Sequence, residues 1–400
     1  MTIGCPDCGA LQELPALASG HVAICRTCDA KLERTAGRSI DAALACAVTA
    51  LILLFPANLL DIMRVQVMSM QRQSMLGLGA IDMWREGFAI PAVLILAFVV
   101  VLPFLRFGLL SLTLATVRIG ARPPWLGPAF RWAMWLDAWS MPDVFLIAAF
   151  IGYSRVSTQL HKIVIEPGGW CFVGAALLCM ISRASLDRRT IWRAIAPERR
   201  YGPGASVISC TTCDMVVPLE EEGRDCPRCG LKLRARKVDS IVRTVALLVA
   251  ALAFYGPANT YPMSRSLQLG QSIHYRIIDG IADLAKAHLW PLAILVLCTS
   301  ILIPVLKIAV LAWLALSTRR AFSGQLVLKS RLYRLVGEIG RWSCVDPFTV
   351  AVMTPLISFG PLARAVPGWG CVAFILVVVL TMAAARLFDP RLMWDARTSP

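Results

Sequence analysis

The chain has 400 residues, of which 57% are hydrophobic and 16% are charged, and its formal net charge is +15. Soluble domains are about 45–50% apolar and about 25% charged, so the composition excludes an ordinary soluble protein. It excludes the disordered, collagen-like and disulfide-rich secreted classes as well. The sequence predicts an all-α polytopic membrane protein.

A first cysteine group lies in residues 1–38, as two C-x2-C pairs separated by 16 residues. Four thiolates at this spacing close a tetrahedral shell around one Zn²⁺ ion. Gly9 and Asp29 follow the pairs and suit the tight turn that aims the sulfurs. We therefore predict a small zinc ribbon. Its ligands are Cys5, Cys8, Cys25 and Cys28.

A second group repeats the pattern in residues 204–237, with 12 residues between the pairs and with Asp214 and Gly230 at the turns. A filled four-thiolate site has no open position, so both metals are expected to be structural. Iron bound by the same ligands and redox-active thiols remain as alternatives to zinc. The predicted ligands are Cys210, Cys213, Cys226 and Cys229.

Eight apolar stretches are each long enough for a membrane-spanning helix, which needs about 20 residues. Four lie in a first transmembrane module, residues 39–200, and four in a second, residues 238–400. Each module follows a ribbon. The predicted spans are residues 40–60, 88–117, 134–156, 168–186, 240–261, 287–316, 335–359 and 368–388.

The basic residues lie mostly on one side of these spans. Of the 40 lysines and arginines, 29 fall in segments 1–39, 118–131, 183–243, 318–341 and 386–400, and nine fall in the alternate segments. The positive-inside rule therefore places both termini and both ribbons in the cytoplasm. Topology accounts for the basic charge, and we predict no nucleic-acid partner.

The two modules repeat each other with an offset of about 200 residues. A Pro-Ala-Asn motif ends at Asn58 and again at Asn259, and a Trp-Ser-x-x-Asp motif occupies residues 139–143 and 342–346. Because both copies have four spans and enter from the same side, the repeats are predicted to be parallel rather than inverted.

A short polar/apolar alternation follows the first span of each module, at residues 64–70 and 266–273. This alternation predicts a strand or a hairpin. Helical patterns follow at residues 80–86 and 279–287. We expect a small folded cap on the outer face of each module.

Polar residues within spans are costly, so they are the default candidates for function. Ser300 and Lys307 share a face of the sixth span, Ser343 and Asp346 share a face of the seventh, and Thr381 lies on the eighth. Pairing between Lys307 and Asp346 would offset the desolvation of each charge. Two interpretations stay open, a functional polar network and a purely structural pair that locks two helices.

The first module has Arg106, Ser140 and Asp143 at the equivalent places, and they are secondary candidates together with Asn58 and Asn259. Arg106 has the further option of extending to the membrane interface. The sequence has no Walker lysine in a Gly-rich loop, no G-x-S-x-G motif and no Rossmann fingerprint. We predict no catalytic residue and no enzyme activity.

A last motif, Phe-Asp-Pro-Arg-x-x-Trp, occupies residues 388–394 and has a weaker copy at 186–192. Together with the paired ribbons, the four spans after each, and the Pro-Ala-Asn and Trp-Ser-x-x-Asp repeats, it resembles the paraquat-inducible protein A family of Gram-negative bacteria. The resemblance covers essentially the whole chain.

This resemblance implies a multi-pass protein of the bacterial inner membrane with a role in phospholipid traffic and envelope integrity. The implied partner is an MCE-domain protein, anchored in the inner membrane, that forms a tunnel across the periplasm. The chain would load phospholipid into this tunnel or receive it, and the polar network would couple the process to protons or bind headgroups. The alternatives are a proton-coupled exporter of small amphipathic molecules and a non-transporting membrane scaffold.

Overall fold

The computed structural model describes residues 2–14, 17–18, 20–34, 40–67, 70–157, 162–198, 201, 206–268, 271–319, 325–357 and 363–395. Most of the described residues are helical, and the strands form five small sheets. The predicted boundaries at residues 38, 200 and 204 lie outside these ranges, and the predicted boundary at 237–238 lies within them.

The first ribbon and first half come first in the chain. The ribbon consists of two antiparallel hairpins, β1 (Thr2–Gly4) with β2 (Leu11–Glu13), and β3 (Val22–Ile24) with β4 (Lys31–Arg34). The first half contains α1 (Ile40–Leu59), β5 (Met63–Val67), β6 (Met70–Ser74), α2 (Leu78–Arg85), α3 (Ala89–Ile119), α4 (Leu126–Leu136), α5 (Pro142–Ser157), β7 (Lys162–Ile165), α6 (Pro167–Ser185) and α7 (Arg188–Ile195).

The same order of helices and strands then occurs a second time. The second ribbon contains β8 (Val207–Ser209) and β9 (Val216–Pro218). The second half contains α8 (Ser240–Thr260), β10 (Ser264–Gln268), β11 (Gln271–Tyr275), α9 (Ile277–Lys286), α10 (Trp290–Thr318), α11 (Leu326–Ile339), a 3-10 segment (Gly340–Cys344), α12 (Val345–Ile357), β12 (Ala363–Pro367), α13 (Trp369–Leu387) and α14 (Leu392–Asp395).

Six helices of the described part are long and apolar enough to cross a membrane, namely α1, α3 and α6 and their counterparts α8, α10 and α13. The third predicted span of each half is not one regular helix. The stretch 134–156 is divided between α4 and α5, and the stretch 335–359 passes through the 3-10 segment, with its last two residues outside the described part. Pro142 and Pro347 stand in the first turn of the second helix, where they cannot donate to the preceding turn.

Both long helices contain a π-helical turn, Ala97–Val101 in α3 and Cys298–Leu302 in α10. Each π turn leads directly to a proline, Pro103 or Pro304. Proline has no backbone N–H and its ring clashes with the carbonyl four residues earlier, which a wider turn relieves. The sequence therefore explains why both helices widen at the same place.

A three-stranded antiparallel sheet lies at the end of each half opposite the ribbons, in the orders β6-β5-β7 and β11-β10-β12. The predicted hairpins and short helices are confirmed, apart from residues 68–69 and 269–270, which lie outside the described part. The third strand was not predicted. Arg265 in β10 lies between His274 and Val366 on its two neighbours, so the cap joins distant parts of the chain.

The halves meet along α5 and α12. Their side chains belong to a single hydrophobic core that includes residues of both halves. At its centre the rings of Phe145 and Phe348 lie 5.6 Å apart. Because this core is continuous, the two halves pack against each other rather than forming two separate bundles.

The ribbons dock on helices from both halves. The second ribbon shares a hydrophobic core with Phe130 and Trp192 of the first half. The first ribbon forms ion pairs with the second half, from Asp7 to Arg334 at 2.7 Å and from Asp29 to Arg331 at 2.8 Å. Each ribbon thus contacts the half that it does not directly precede.

A matched pair of glycine substitutions tests the docking of the second ribbon. A Cβ at Gly127 in α4 would collide with the carbonyl oxygen of Arg228 in the ribbon, whereas a Cβ at Gly108 in α3 would meet open space. We expect Gly127→Ala to lower the free energy of unfolding by about 1–3 kcal/mol through overpacking. Gly108→Ala is expected to be neutral or slightly stabilising because alanine favours the helix.

Thermal unfolding of the two variants in detergent is the measurement. Equal melting temperatures for Gly127→Ala and Gly108→Ala would show that the ribbon does not pack against α4.

Candidate functional site

Each C-x2-C pair forms the same tight turn. The residue after the second cysteine adopts a positive φ in all four turns, and its N–H donates to the carbonyl of the first cysteine at 2.8–3.2 Å. Glycine or aspartate tolerates this conformation better than most residues. The prediction for these positions is confirmed: Gly9 has φ 75°, Asp29 58°, Asp214 55° and Gly230 67°.

The turns bring together the four sulfurs of each group, which all lie within 4.8 Å of one another. Within the first group Cys5 and Cys28 are 3.5 Å apart, and Cys8 and Cys25 are 3.6 Å apart. A tetrahedral ion with metal–sulfur bonds of about 2.3 Å places its sulfurs about 3.8 Å apart. Both groups, with all eight predicted ligands, fit a four-thiolate metal site.

Hydrogen bonds around the first group favour thiolates. Gln12 Nε2 lies 2.8 Å from Cys25 Sγ, and the backbone N–H of Thr27 donates to the same sulfur at 3.4 Å. Arg334 donates to the carbonyl oxygen of Cys28 at 3.2 Å. Four thiolates around a divalent ion leave a net charge of about −2, which this guanidinium partly offsets.

Three charged residues between the ribbons and the helices have pKa values shifted by burial. Burial raises the pKa of Asp7, although Arg334 opposes the rise. Burial raises the pKa of Asp214 to about 6. Burial lowers the pKa of Lys237, whose Nζ donates to the carbonyl oxygens of Arg386 at 2.7 Å and Phe388 at 3.0 Å. The interface between ribbons and helices therefore excludes much of the solvent.

The residues of the Phe-Asp-Pro-Arg-x-x-Trp motif tie the ribbons to the second half. Arg391 donates to the carbonyl of Pro6 at 3.3 Å and to Ser209 Oγ at 3.2 Å, one contact in each ribbon. Trp394 Nε1 donates to Ser330 Oγ at 3.2 Å. The motif therefore has a structural role, which the sequence did not reveal.

The predicted polar network is gathered around the 3-10 segment. Lys307 is 1% exposed, and its Nζ donates to the carbonyl oxygen of Gly340 at 3.1 Å. The segment contacts the π turn that carries Ser300, α10 and α13. The Lys307 ammonium thus binds a neutral backbone carbonyl of this segment, and Asp346 follows the segment at the start of α12.

The hydroxyl groups of this network differ in their hydrogen-bond partners. Thr381 Oγ1 donates to the carbonyls of its own helix, at 2.9 Å to Val377 and 3.0 Å to Val378. Ser300 Oγ lies 3.5 Å from Thr299 Oγ1. Ser343 is 1% exposed, and none of the described residues hydrogen-bonds to its Oγ. The network thus contains a buried hydroxyl beside Asp346 that is available to a new partner.

A cavity of about 280 Å³ lies between α12 and the cap of the second half. From Asp346 to Thr354 it follows two turns of α12, a distance of about 12 Å. Arg265 and Arg276 line it near the sheet, and Leu284 and Met353 contribute apolar surface. The remaining lining residues are Met263, Ser264, Ser266, Tyr275, Ile277, Gly280, Asp283, Ala287, Leu289, Val296, Thr349, Val350 and Ala365.

The equivalent place in the first half holds a cluster of ion pairs. Arg106 pairs with Asp137 at 2.6 Å rather than with Asp143, and its other terminal nitrogen donates to Cys179 Sγ at 3.1 Å. Arg183 bridges both carboxylates, at 2.8 Å to Asp137 and 2.6 Å to Asp143. The expected pairing of Arg106 with Asp143 is therefore replaced by a cluster around Arg183.

Ser140 stands beside this cluster and is fully buried, and its carbonyl accepts from Arg183 at 2.7 Å. Asn58 and Asn259 bind only their own helices among the described residues, donating to the carbonyls of Leu54 at 2.7 Å and Tyr255 at 2.9 Å. Neither asparagine lines the cavity. The geometry gives both a local role at the helix end.

Sequence reasoning missed Asp137, Arg183 and the two arginines of the cavity. Asp137 lies inside the predicted span 134–156, so an ionisable residue in an apolar stretch was the available signal. Arg183 lies near the end of its span and resembles an ordinary flanking residue. Arg265 and Arg276 meet only because the hairpin folds back, which no local pattern indicates.

Comparison with known proteins gives a consistent result. The profile of the family described as Paraquat-inducible protein A matches residues 40–196 and 241–398. The "Intermembrane transport protein PqiA" of Escherichia coli K12 is 29% identical, over 98% of this chain and 95% of its own length. No solved structure matches the chain significantly.

Two further relatives cover the chain as completely. The "Lipophilic envelope-spanning tunnel protein A" of Escherichia coli K12 is 28% identical, over 99% of this chain and 91% of its own length. A "Probable intermembrane transport protein" of Haemophilus influenzae is 26% identical, over 98% of this chain and 95% of its own length.

Metal analysis of the purified protein tests the two cysteine groups. We expect two metal ions per chain, and one per chain after Cys8→Ser or Cys213→Ser, because three thiolates hold the ion more weakly. Cys46→Ser, a half-buried cysteine of α1 outside both groups, is the control and should retain two. Elemental mass spectrometry is the readout, and a Cys8→Ser protein with two ions would contradict the assignment.

Proposed function

The chain belongs to the paraquat-inducible protein A family, and from this premise we propose that it is the inner-membrane component of an intermembrane phospholipid transport system. It loads phospholipid into a periplasm-spanning tunnel, or receives phospholipid from it. The tunnel is formed by an MCE-domain protein anchored in the inner membrane. Relatives named for intermembrane transport and for an envelope-spanning tunnel support this proposal.

In the proposed topology both ribbons and both termini face the cytoplasm, and the two sheets face the periplasm. The chain crosses the bilayer eight times as two parallel repeats of four. The third crossing of each repeat is the pair α4–α5 or α11–α12. The excess of basic residues at the ribbon ends of the helices supports this orientation.

The cavity of the second half is the observation that carries the proposal. It has arginines at its sheet end, an apolar wall, and Asp346 at its other end. Guanidinium groups bind phosphate oxygens with charge-assisted hydrogen bonds, so Arg265 and Arg276 suit a phospholipid headgroup. A volume of about 280 Å³ is small for a ligand pocket. It suits a phospholipid headgroup and the first carbons of its acyl chains, while the rest of the acyl chains stays in the bilayer.

Coupling to protons is proposed to use Asp346 and Lys307. In the observed arrangement the Lys307 ammonium binds a neutral carbonyl, and Asp346 faces the cavity. When Asp346 loses its proton, Lys307 moves toward it, and Ser343 and Thr381 supply hydrogen bonds during the exchange. A membrane potential supplies about 2.3 kcal/mol per charge per 100 mV, enough to bias two nearly equal packings.

The metal in both ribbons is proposed to be zinc with a structural role. Four sulfur ligands leave no position for water or substrate, and each ribbon contacts a half of the membrane part. The ions therefore hold the ribbons in the shape that docks. No catalytic function is proposed for them.

Neutralising Asp346 is the first test of function. We expect Asp346→Asn to abolish phospholipid transfer between donor vesicles holding the protein and its tunnel partner and acceptor vesicles, because the amide cannot exchange a proton. Protein amount and metal content should be unchanged. Asp239→Asn, an exposed aspartate just before α8, is the matched control and should transfer at the wild-type rate.

The outcome separates the proposal from its two alternatives. Normal phospholipid transfer by Asp346→Asn would contradict proton coupling at this site. Purification from native membranes without an MCE-domain protein or phospholipid would favour an exporter of small amphipathic molecules. Loss of a bound cytoplasmic partner on ribbon deletion, with a harmless Asp346→Asn, would favour a scaffold.

The headgroup assignment has its own test. A photoreactive phospholipid should label the peptide that contains α12, and we expect the double variant Arg265→Gln/Arg276→Gln to reduce this labelling several-fold because it removes both phosphate donors. Arg85→Gln, an exposed arginine of α2 in the first half, should leave labelling unchanged. Peptide mass spectrometry gives the labelled position, and equal labelling in both variants would contradict the assignment.

A further inference from the structure

Helix α12 has two different faces. Asp346, Thr349 and Met353, three or four residues apart, line the cavity of the second half. Phe348 and Val352 are buried in the core shared with the first half. By sequence α12 belongs to the second half, yet its other face packs on the first.

Two glycines of the first half allow this close contact. A Cβ at Gly79 in α2 would collide with the carbonyl oxygen of Ala351. A Cβ at Gly152 in α5 would lie 3.2 Å from Val352 Cγ1 and 3.6 Å from its Cβ. The backbones thus approach as closely as side chains permit, which is how small residues pack helices in membranes.

An ion pair joins the same surfaces at the ribbon end of α12. Arg341 in the 3-10 segment reaches Asp143 at the start of α5, with 3.5 Å between Nη1 and Oδ2. Asp143 is 1% exposed and is already held by Arg183 at 2.6 Å. Because Asp143 is buried, this contact between opposite charges is screened little by solvent.

A comparison of equivalent positions in the two halves shows which charges hold Asp143 in place. At an offset of 202–203 residues, Arg183 corresponds to Ala385 and Asp137 to Gly340. The first half therefore has one arginine and one carboxylate that the second half lacks at these positions, and Arg183 binds both Asp137 and Asp143. The buried arginines of the first half are paired with carboxylates, whereas Lys307 in the second half binds a carbonyl oxygen.

We propose that Arg341 and Asp143 are a positioning pair that fixes α12 to the first half. The helix and the first half then act as one body, and the rest of the second half moves against it when the cavity opens or closes. Arg341 acts through the 3-10 segment, which also carries the Gly340 carbonyl that binds Lys307. The inference rests on the proposed phospholipid transfer, because it says which wall of the cavity moves during transfer. The wall formed by α12 stays fixed, and the wall formed by the cap of the second half moves.

A disulfide across the contact tests this directly. Gly152→Cys with Val352→Cys places two Cβ atoms near the 3.5–4.5 Å that a disulfide requires. The half-buried Cys46, Cys171 and Cys298 are first replaced by serine. We expect the oxidised protein, with the bond verified by mass spectrometry, to transfer phospholipid at the rate of its reduced form. Loss of transfer on oxidation, restored by reduction, would overturn the proposal.

A cross-link across the cavity is the complementary experiment. A flexible bis-maleimide joins Gly280→Cys in α9 to Thr354→Cys in α12, both of which line the cavity. It should stop transfer because it ties α12 to the cap of the second half. Unchanged transfer with this cross-link in place would equally overturn the proposal. Wild-type protein that transfers no phospholipid at all would instead contradict the proposed function.

The ion pair is tested by Arg341→Gln, with Arg341→Lys as the conservative variant and Arg188→Gln as the matched control. Arg188 belongs to the same cluster, 3.3 Å from Asp137, but does not cross between the halves. We expect Arg341→Gln to slow transfer at least tenfold and to shift its pH profile, and Arg341→Lys to restore both. Arg341→Gln and Arg188→Gln proteins with the same rate and pH profile would overturn the role of the pair.

Discussion

Buried charges must find partners inside the protein where a membrane excludes water, and this requirement shapes both halves. In the first half two carboxylates form ion pairs with several arginines, and one of those arginines comes from the second half. In the second half the buried Lys307 binds a neutral carbonyl. The same fold thus holds one cluster in which opposite charges are paired and one in which an ammonium group binds a backbone carbonyl. The cavity lies beside the second.

The features that follow from neighbouring residues were predicted from the sequence. The four cysteine turns depend on a local spacing and on Gly9, Asp29, Asp214 and Gly230, and the structure has them as expected. The hairpins and the six long helices follow from local periodicity and hydropathy. These elements need no knowledge of what lies elsewhere in the chain.

Features that depend on distant residues were not predicted. Strand β7 pairs with β5 about 100 residues earlier, and Arg341 meets Asp143 across the halves. Arg106 and Asp143 share the repeat positions of Lys307 and Asp346, but Arg183 and Asp137 give the first half a different arrangement. A repeat predicts equivalent backbones, and single replacements within it change which charges meet. The repeat also suggests two bundles with the same number of helices. In the structure α12 packs on the first half, although it belongs to the second half by sequence.

The docking of the first ribbon has a consequence for biosynthesis. Its partner Arg331 is 302 residues from Asp29, and Trp394, which packs on the ribbon core, lies closer still to the end of the chain. At about 5–20 residues per second, a ribosome needs about 15–60 s to make the intervening chain. Before Arg331 and Trp394 are made, the first ribbon has its own hairpins, its four cysteines and the ion pair of Glu33 with Arg193 in α7. The first ribbon therefore leaves the ribosome well before its last docking partners, and a four-cysteine group that could hold a metal ion without them suits it to fold in the meantime.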